Sequence, residues 1–496
     1  MRRTIRRGLV VVFGLPLVMG AGLWLLALPD PPSLAAPPRA PSLAIVDVAR
    51  VDPDSAGHVV PHQTVLAADG VITAVGPADS IVVPAGSTVL DGRGRYLMPG
   101  LIDAHMHSLR LSPQLHYPLL VAHGVTAVRD LGDACSWSED LSCRSDVPRW
   151  RSAIAVGRIV GPRIVQHVSF HLESPLDDAT LDARLDSIRA RGEPVLKLQL
   201  DEASTPDSTV RRVMARAAAR QVRVAGHLPF TVSLPTLRPA WVSVEHDWTL
   251  LPQCSRARAG FDGRNRSKAA LLAAMDSTLC NAVLDAMRAA GTAYTPTHVA
   301  SSGQDVLFAA GRASLMAELT DALVVGPQRA LWALLRRAAR ESAEEQRVLA
   351  TYHDAALHLS RRAADRGVVL LAGSDALDPD VVHGAGLHEE LQYLVRATLT
   401  PAQALRAATS APAEHFGVGD VVGRIAVGQR ADLLLLTANP LDDIRNTQRI
   451  HTVVADGRVY DAAARDRLLT YVREQAHSWR TTARFLLGAV VDWAGV

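Results

Sequence analysis

The stretch "YLMPGLIDAHMH", residues 96–107, decides how this chain is interpreted. An apolar run stops at Pro99–Gly100, restarts, and ends with His105 and His107. Side chains alternate across a β-strand, so a His-x-His pair near a strand end places both imidazoles on one face. Two imidazoles on one face can hold a single cation, although such pairs also occur on ordinary surface strands. The remaining strand ends decide between these two interpretations.

Similar apolar runs recur through the middle of the chain and carry polar residues at or near their ends. Lys197 lies in "VLKLQL", His227 ends "VRVAGH", His246 ends "VSVEH" and Asp375 ends "VVLLAGSD". Amphipathic segments such as "DSTVRRVMARAAARQ" separate the runs. This strand–helix alternation predicts an α/β fold with a parallel sheet, and at this length a (β/α)8 TIM barrel is the leading candidate. Barrel chemistry lies at the carboxyl ends of strands, where these residues fall.

Short alternating runs with Asp-Gly turns lie before the barrel region and return after it, as in "TVLAADGVITAVG" and "IHTVVADGRVYDA". Their pattern predicts one small sheet domain built from both chain ends. The predicted domains are a targeting segment with a Pro-rich linker, the composite sheet domain, the barrel and a C-terminal helical tail. Their bounds are, in that order, 1–41, 42–98 with 416–465, 99–415, and 466–496.

The first seven residues carry four arginines, and an uncharged apolar stretch from Gly8 to Leu28 and then a Pro-rich stretch follow them. A basic region before an apolar run is typical of a secretion signal, and its length approaches the roughly 20 residues that span a bilayer. A cleaved signal and a retained anchor both remain open. We expect an exported protein, either periplasmic or extracellular, or anchored to the cytoplasmic membrane.

Four cysteines are present, and none forms a CxxC pair, which disfavours a thiolate zinc site. In an oxidising compartment Cys135 with Cys143, and Cys254 with Cys280, are candidate disulfides, while reduced cysteines are equally compatible with the sequence. The formal net charge of +2 disfavours a nucleic-acid partner. We expect a small-molecule substrate, and a homo-oligomer is an open alternative.

The chemistry of the polar set points to a metal. Imidazole and carboxylate ligands suit Zn²⁺ and similar divalent ions. A lysine inside an apolar strand is costly unless neutralised, so Lys197 is either a carbamate that could bridge two ions or a side chain reaching solvent. Asp375 is the candidate for catalytic proton transfer, and a helix cap is its structural alternative.

Four stretches together resemble the amidohydrolase superfamily: "YLMPGLIDAHMH", "VEH", "LLAGSDAL" and the tail that runs from "GLHEELQYL" to "TANPLDDI". The most similar branch is the imidazolonepropionase-like and carboxylated-lysine Xaa-Pro dipeptidase-like group. The resemblance spans residues 42–465. It implies a metal-bearing barrel with a β-sandwich formed by both chain ends, and hydrolysis of C–N bonds by a metal-activated hydroxide.

The resemblance also implies the roles of individual residues. His105, His107 and Asp375 would bind the more buried ion, His227 and His246 a second ion, and a carbamate on Lys197 would bridge them. Zinc is the expected metal. Tyr294 and His298 lie where relatives can place substrate-contacting residues, and packing roles remain open for both.

The function predicted from the sequence is therefore that of an exported, metal-dependent amidohydrolase. Its substrate would be a small molecule with an amide-like bond, such as a dipeptide, an N-acyl amino acid or a cyclic amide, with Asp375 as general base. The alternative enzyme is a mononuclear imidazolonepropionase- or deaminase-like hydrolase. A non-catalytic envelope binding protein is the alternative of a different class.

Overall fold

A computed structural model describes residues 29–54, 57–137, 143, 145–192, 195–232, 241–304, 318–338 and 342–494. The predicted targeting segment, Gly8 to Leu28, lies outside the described residues. In the part of the chain that is described, no helix is long and apolar enough to cross a bilayer.

Sixteen strands lie in the part of the chain that the structure describes. They are β1 Ser42–Asp52, β2 His58–Ala68, β3 Val71–Pro77, β4 Thr88–Asp91, β5 Tyr96–Pro99, β6 Leu101–Met106, β7 Val125–Asp130, β8 Arg163–His167, β9 His171–Leu172, β10 Val195–Leu198, β11 Arg223–Gly226, β12 Trp241–Glu245, β13 Ala293–Thr295, β14 Leu433–Leu436, β15 Ile450–Ala455 and β16 Arg458–Tyr460.

Sixteen α-helices lie between and after these strands in the described residues. They are α1 Ser112–Leu115, α2 Tyr117–Ala122, α3 Val147–Ala155, α4 Asp178–Ala190, α5 Asp207–Ala219, α6 Asp247–Leu250, α7 Asn265–Ala273, α8 Ser277–Ala290, α9 His298–Gln304, α10 Gly326–Ala338, α11 Ala343–Asp365, α12 Ala385–Arg396, α13 Pro401–Ala407, α14 Ser410–His415, α15 Ala462–Ala476 and α16 Trp479–Ala494.

One mixed sheet joins the two ends of the chain. Its order is β16-β15-β14-β5-β1-β2-β3, with β4 pairing alongside β1. The junction is the antiparallel pairing of β14 with β5, in which Leu433 lies opposite Pro99. A sheet built from both chain ends therefore exists as the sequence indicates, while its arrangement as a sandwich stays a prediction.

Two parallel sheets occupy the middle of the chain, one ordered β6-β7-β8 and the other β13-β12-β11-β10-β9. Each residue of β6, β7, β10 and β12 is buried, as expected for strands covered on both faces. Helices α4, α5 and α8 follow strands of these sheets and bury apolar faces. The fold is α/β, as predicted.

The expected strand in "GVVLLAGSDAL" is not a regular strand. Its backbone instead makes isolated parallel bridges, Tyr294 with Leu370 and Met106 with Ala376. Asp375 has a left-handed backbone, with φ of 54°, which breaks an extended run. The segment therefore pairs with both β13 and β6 but does not form a regular strand.

The Pro-rich stretch packs on the protein surface. Its carbonyl groups accept hydrogen bonds, at Pro31 from Gln114 and at Pro32 from the Tyr471 hydroxyl. The Asp30 carboxylate pairs with Arg484 of α16. Residues 29–41, which were predicted as a linker, are thus held against helices α1, α15 and α16.

Both candidate disulfides are formed. Cys135 is bonded to Cys143, and Cys254 to Cys280. The charged amphipathic pattern of residues 328–366 predicts one barrel helix. The structure has two helices there, α10 and α11, because Ser342 caps the start of α11 with a capping box that includes Glu345.

Candidate metal centre

Three predicted ligands meet at one point. The Nε2 atoms of His105 and His107 lie 3.2 Å and 3.3 Å from Oδ1 of Asp375. Their ligand atoms all lie within 4.8 Å of one another, and all three side chains are buried. Lys197 Nζ joins them at 3.4 Å from each of the same two Nε2 atoms.

The other two predicted histidines adjoin this group. His246 Nδ1 lies 3.5 Å from Oδ2 of Asp375, and its ring centroid is 4.7 Å from that of His105. The ring of His227 is 4.7 Å from that of His246. The structure therefore brings together the six residues predicted as ligands, although they come from five separate segments of the chain.

A second contact fixes one ring nitrogen of each histidine. His105 Nδ1 donates to Glu245 at 2.9 Å and His107 Nδ1 donates to the Gly132 carbonyl at 3.2 Å. His227 Nδ1 donates to Glu202 at 2.5 Å. His246 Nδ1 lies 2.8 Å from the Thr297 hydroxyl. Metal-binding histidines use such contacts to fix the tautomer and ring orientation, so this donor set fits a divalent metal.

Local backbone conformation places these groups. His246 and Asp375 both have left-handed backbones, with φ of 71° and 54°. Gly373 lies against His105, and a Cβ there would be 2.6 Å from the His105 Cβ. Asp103, next to this cluster in sequence, points elsewhere: it accepts hydrogen bonds from the Ser374 backbone and hydroxyl at 2.9 Å and 2.6 Å. It orients the segment that carries Asp375.

Burial and neighbouring charges set the ionisation of the cluster. Burial lowers the pKa of His107 to about 4, and it lowers the pKa values of Lys197 and His227. Burial works to raise the pKa of Asp375, but the imidazoles of His105 and His246 hold it well below its usual range. Burial also lowers the pKa of His246, and it works to lower that of His105, but Asp375 raises the pKa of His105. The cluster thus combines an anionic carboxylate with nitrogen donors, most of which burial shifts toward the neutral form that binds metal.

Sequence reasoning missed the residue that supports His105. Glu245 is fully buried, accepts from His105, and pairs with Arg129 Nη1 at 2.9 Å. Burial works to raise the pKa of Glu245, but Arg129 and His105 hold it well below its usual range. Arg129 and Asp130 lie together at the end of the apolar run "GVTAVRD", and this sequence pattern predicts a buried ion pair that supports the site. The partner of Arg129 is Glu245, since Arg129 and Asp130 are adjacent in β7 and point to opposite faces.

The two predicted substrate contacts lie behind the cluster. The Tyr294 side chain is fully buried. His298 is also fully buried, with Nδ1 2.9 Å from Asp247 Oδ2 and Nε2 2.8 Å from the Ser360 hydroxyl. Since both ring nitrogens contact protein groups, the geometry does not bring His298 toward a substrate. Their substrate-binding role stays a prediction.

A cavity of about 290 Å³ adjoins the His227 side of the cluster. Glu202, which holds His227, lines it, and so does Trp248, whose ring stacks on His246 at 4.0 Å. Further lining side chains are Phe230, Phe261, Asn265, Lys268 and Tyr352. Phe230 and Phe261 have ring centroids 4.9 Å apart, and Lys268 Nζ lies 4.6 Å from the Tyr352 ring centroid. The cavity combines aromatic surface with the Lys268 cation and the carboxylates of Glu202 and Asp247, and such a mixture of apolar surface and a few polar groups is typical of small-molecule sites.

Comparison with known proteins assigns one region of this chain to a family. Residues 356–460 match the profile of the amidohydrolase family. The chain carries an amidohydrolase-family region. The predicted resemblance is thereby confirmed, and the amidohydrolase region includes Asp375 and the strands β14–β16. The histidine candidates and Lys197 precede it.

Among characterised proteins, adenine deaminases are similar to this chain in sequence. That of Paracoccus denitrificans (strain Pd 1222) is 40% identical over 73 residues, which are 14% of this chain and 12% of the relative. Adenine deaminase 3 of Rhizobium meliloti (strain 1021) is 24% identical over 419 residues, 82% of this chain and 58% of the relative. The matches thus span between about an eighth and just over half of these relatives' lengths.

Solved structures share the fold. Bottromycin amidohydrolase superposes with a TM-score of 0.68 at 23% identity, covering 89% of this chain and 92% of that one. A Xaa-Pro dipeptidase with bound methionine in the active site gives a TM-score of 0.59 at 18% identity, covering 85% and 100%. At these identities the similarity concerns the fold alone.

Proposed function

We propose that this protein is a metal-dependent hydrolase of a C–N bond in a small amide-like substrate. The observation that carries the proposal is the arrangement of the four histidines. Each has one ring nitrogen held by a protein group, and the set surrounds Asp375 and Lys197. A structural core has no need of six buried polar groups in this arrangement, since burying them is costly.

The residues would divide the chemistry as follows. His105, His107 and Asp375 would hold one divalent ion, and His227 and His246 a second, with a Lys197 carbamate between them. Such ions polarise a carbonyl oxygen and make water more acidic. Asp375 would take a proton from the attacking water and return it to the leaving nitrogen as the C–N bond breaks.

The proposed scaffold is a closed eight-stranded barrel beside a β-sandwich. Backbone hydrogen bonds support closure through the segment that carries Asp375. Ala104 N donates to Ala372 O at 2.9 Å, and Leu371 N donates to Tyr294 O at 2.9 Å. Lys197 N donates to Phe170 O at 3.2 Å, which extends the β9–β10 pairing toward β8. The metal-ligand candidates would then lie at the carboxyl ends of the barrel strands.

The proposed site of action is outside the cytoplasm. Two disulfides support an oxidising compartment. The basic and apolar N-terminal sequence supports either a cleaved signal or a retained anchor.

Deamination is the second candidate. It is also a C–N bond hydrolysis, and adenine deaminases are the relatives found by sequence. The cavity's aromatic surface could stack a heterocyclic base as readily as an apolar acyl or amino-acid side group. Ammonia release from adenine, against cleavage of dipeptides and N-acyl amino acids, separates the two substrate classes.

Metal content and turnover test the proposal together. We expect about two zinc ions per chain, loss of metal in His105→Asn, and a loss of turnover of roughly 10²–10⁴-fold in Asp375→Asn, as for loss of a general base. Asp365→Asn, at the exposed end of α11, is the matched control. One ion per chain with a fully active Lys197→Ala variant would replace the binuclear site by a mononuclear one. Normal metal content in His105→Asn would refute the assignment.

A further inference from the structure

Two helices that contact each other, α10 and α16, expose large apolar side chains. On α10, Leu331, Leu334 and Leu335 are 53%, 62% and 45% exposed. Their i, i+3, i+4 spacing places them on one helix face. Helix α16 packs against α10 and adds exposed Trp479 and Leu486. We call these five residues the leucine patch.

The N-terminal chain reaches the protein at α16. The Asp30 carboxylate accepts a hydrogen bond from Arg484 Nε at 2.8 Å, and Arg484 is 6% exposed. The Tyr471 hydroxyl of α15 donates to Pro32 O at 2.6 Å. Two residues before Asp30 ends the uncharged stretch Gly8–Leu28, which is long enough to span a bilayer. A membrane in which that stretch is anchored would lie beside α16.

We propose that the leucine patch contacts the lipid bilayer in which the N-terminal stretch is anchored. A bilayer is favoured because an anchored protein keeps the surface nearest its anchor at the membrane throughout. The composition agrees: leucines project outward, and at the start of α16 the Arg480 guanidinium lies 5.5 Å from the Trp479 ring centroid. Tryptophan and arginine are the residues that favour the headgroup level of a membrane.

The leucine patch is also linked to the candidate metal centre. Trp332, on the same helix as the leucines, shares a buried apolar cluster with Val382. The next residue, His383, donates from Nε2 to the His107 carbonyl at 3.0 Å. Membrane contact at the leucine patch would therefore hold the candidate metal centre close to the lipid surface. The proposal rests on the predicted anchor and is independent of the hydrolytic chemistry.

Fluorescence quenching tests the contact. The full chain is reconstituted into phosphatidylcholine–phosphatidylglycerol nanodiscs with or without a doxyl quencher high on the acyl chain. We expect the lipid-dependent quenching of the full chain to fall clearly in Trp479→Phe, since quenching of the other seven tryptophans, including Trp24 in the apolar stretch, is common to both proteins. The triple variant Leu331→Ser, Leu334→Ser, Leu335→Ser should also lose quenching at Trp479. Val82→Ser, at an exposed valine of the mixed-sheet region, is the control and should change nothing.

Three results would overturn the proposal. Equal quenching of the full chain and Trp479→Phe would exclude lipid at α16. A dimer-to-monomer change in the triple leucine variant, without a change in quenching, would identify a second copy of the chain as the occupant. Failure of the full chain to float with vesicles would remove the anchor itself. Hydrolysis of a soluble substrate by the triple variant should equal that of the unmodified chain in each case, so the proposed catalytic function is judged separately.

Discussion

The histidines of the candidate metal centre depend on protein groups that are not themselves metal-ligand candidates. His105 shows this most clearly, because Glu245 holds its Nδ1 and is held in turn by Arg129. All three side chains are fully buried, so each needs the next to compensate its desolvation. Orientation of the ligand and stability of the surrounding core are therefore coupled through Glu245.

We predict that Glu245→Gln weakens metal binding about 10–100-fold, the usual effect of removing the partner of a ligating histidine. It should also lower the free energy of unfolding by about 3–5 kcal/mol, because the Arg129 charge stays buried without its carboxylate. Metal titration and urea unfolding measure the two effects. Glu414→Gln removes a more exposed partner, that of Arg424, and should cost less than about 1 kcal/mol. Unchanged metal affinity in Glu245→Gln would contradict the positioning role.

The ligand candidates could be predicted from sequence, and their supports only in part. His105, His107, His227, His246 and Asp375 interrupt or end apolar runs, which makes them visible. Glu245 was not identified as functional from the sequence because the metal-ligand candidate His246 follows it directly. A signal was present in "WVSVEH": Ser243 and Glu245 alternate with valines, so both face the same side. The Arg129–Glu245 pairing joins two strands that are far apart in sequence, which spacing alone does not reveal.

At the scale of elements, a buried carboxyl group lies where helix α12 contacts helix α9. Glu390 of α12 accepts a hydrogen bond from the Val299 backbone at the start of α9, at 2.9 Å. Burial raises the pKa of Glu390 to about 7, although His298 nearby works to lower it. The carboxyl group is therefore protonated in the folded chain at mildly acidic pH.

This raised pKa makes a pH-dependent prediction. The unfolded carboxyl ionises near pH 4.5, so the stability contributed by protonated Glu390 is complete below that pH and is lost as pH rises through about 7. Glu390→Gln should therefore gain stability over the unmodified chain above pH 7, on the order of 3 kcal/mol, and show little difference near pH 4. Urea unfolding at both values measures this. The substitution Glu389→Gln, which changes the residue just before Glu390, is the control. Parallel stability curves for Glu390→Gln and the unmodified chain would contradict the prediction.

Element boundaries were the weaker part of the sequence interpretation. Residues 328–366 have a continuous helical pattern, yet the Ser342 cap starts a new helix there. The apolar run before Asp375 resembles a strand, but Gly373 and the left-handed Asp375 bend it around His105. Both departures come from local backbone chemistry at single residues, which hydrophobic periodicity does not report. The parallel strands themselves followed from periodicity and length.

At the scale of the whole molecule, the sequence predicted the union of both chain ends in one sheet, because matched runs with Asp-Gly turns appear at each end. It did not predict that residues 29–41 pack on the protein. Proline lacks a backbone donor, so a Pro-rich stretch resembles a free linker. Its carbonyls still accept hydrogen bonds, and those from Gln114, Tyr471 and Arg458 hold the stretch in place.

The Cys254–Cys280 disulfide gives a third prediction. Replacing both cysteines with alanine should lower the free energy of unfolding by about 3–4 kcal/mol, from the entropy of a loop of 26 residues. We expect KM to rise while metal content stays unchanged, because the cavity wall lies within the loop and the metal-ligand candidates lie outside it. The Cys135–Cys143 pair closes a loop of 8 residues, and its removal should cost about 2–3 kcal/mol. An unaltered KM in the first variant would separate the loop from substrate binding.

That loop has a consequence for when the protein becomes functional. Phe261, Asn265 and Lys268 lie between Cys254 and Cys280, so one side of the cavity belongs to a covalent ring. Under the proposed export, the newly made chain in a reducing cytosol would already possess its metal-ligand candidates, but the ring would be open. Closure of the ring would then coincide with oxidation outside the cytosol. Under the proposed function, a chain retained in the cytosol would therefore bind substrate poorly, because one wall of the cavity would be incomplete.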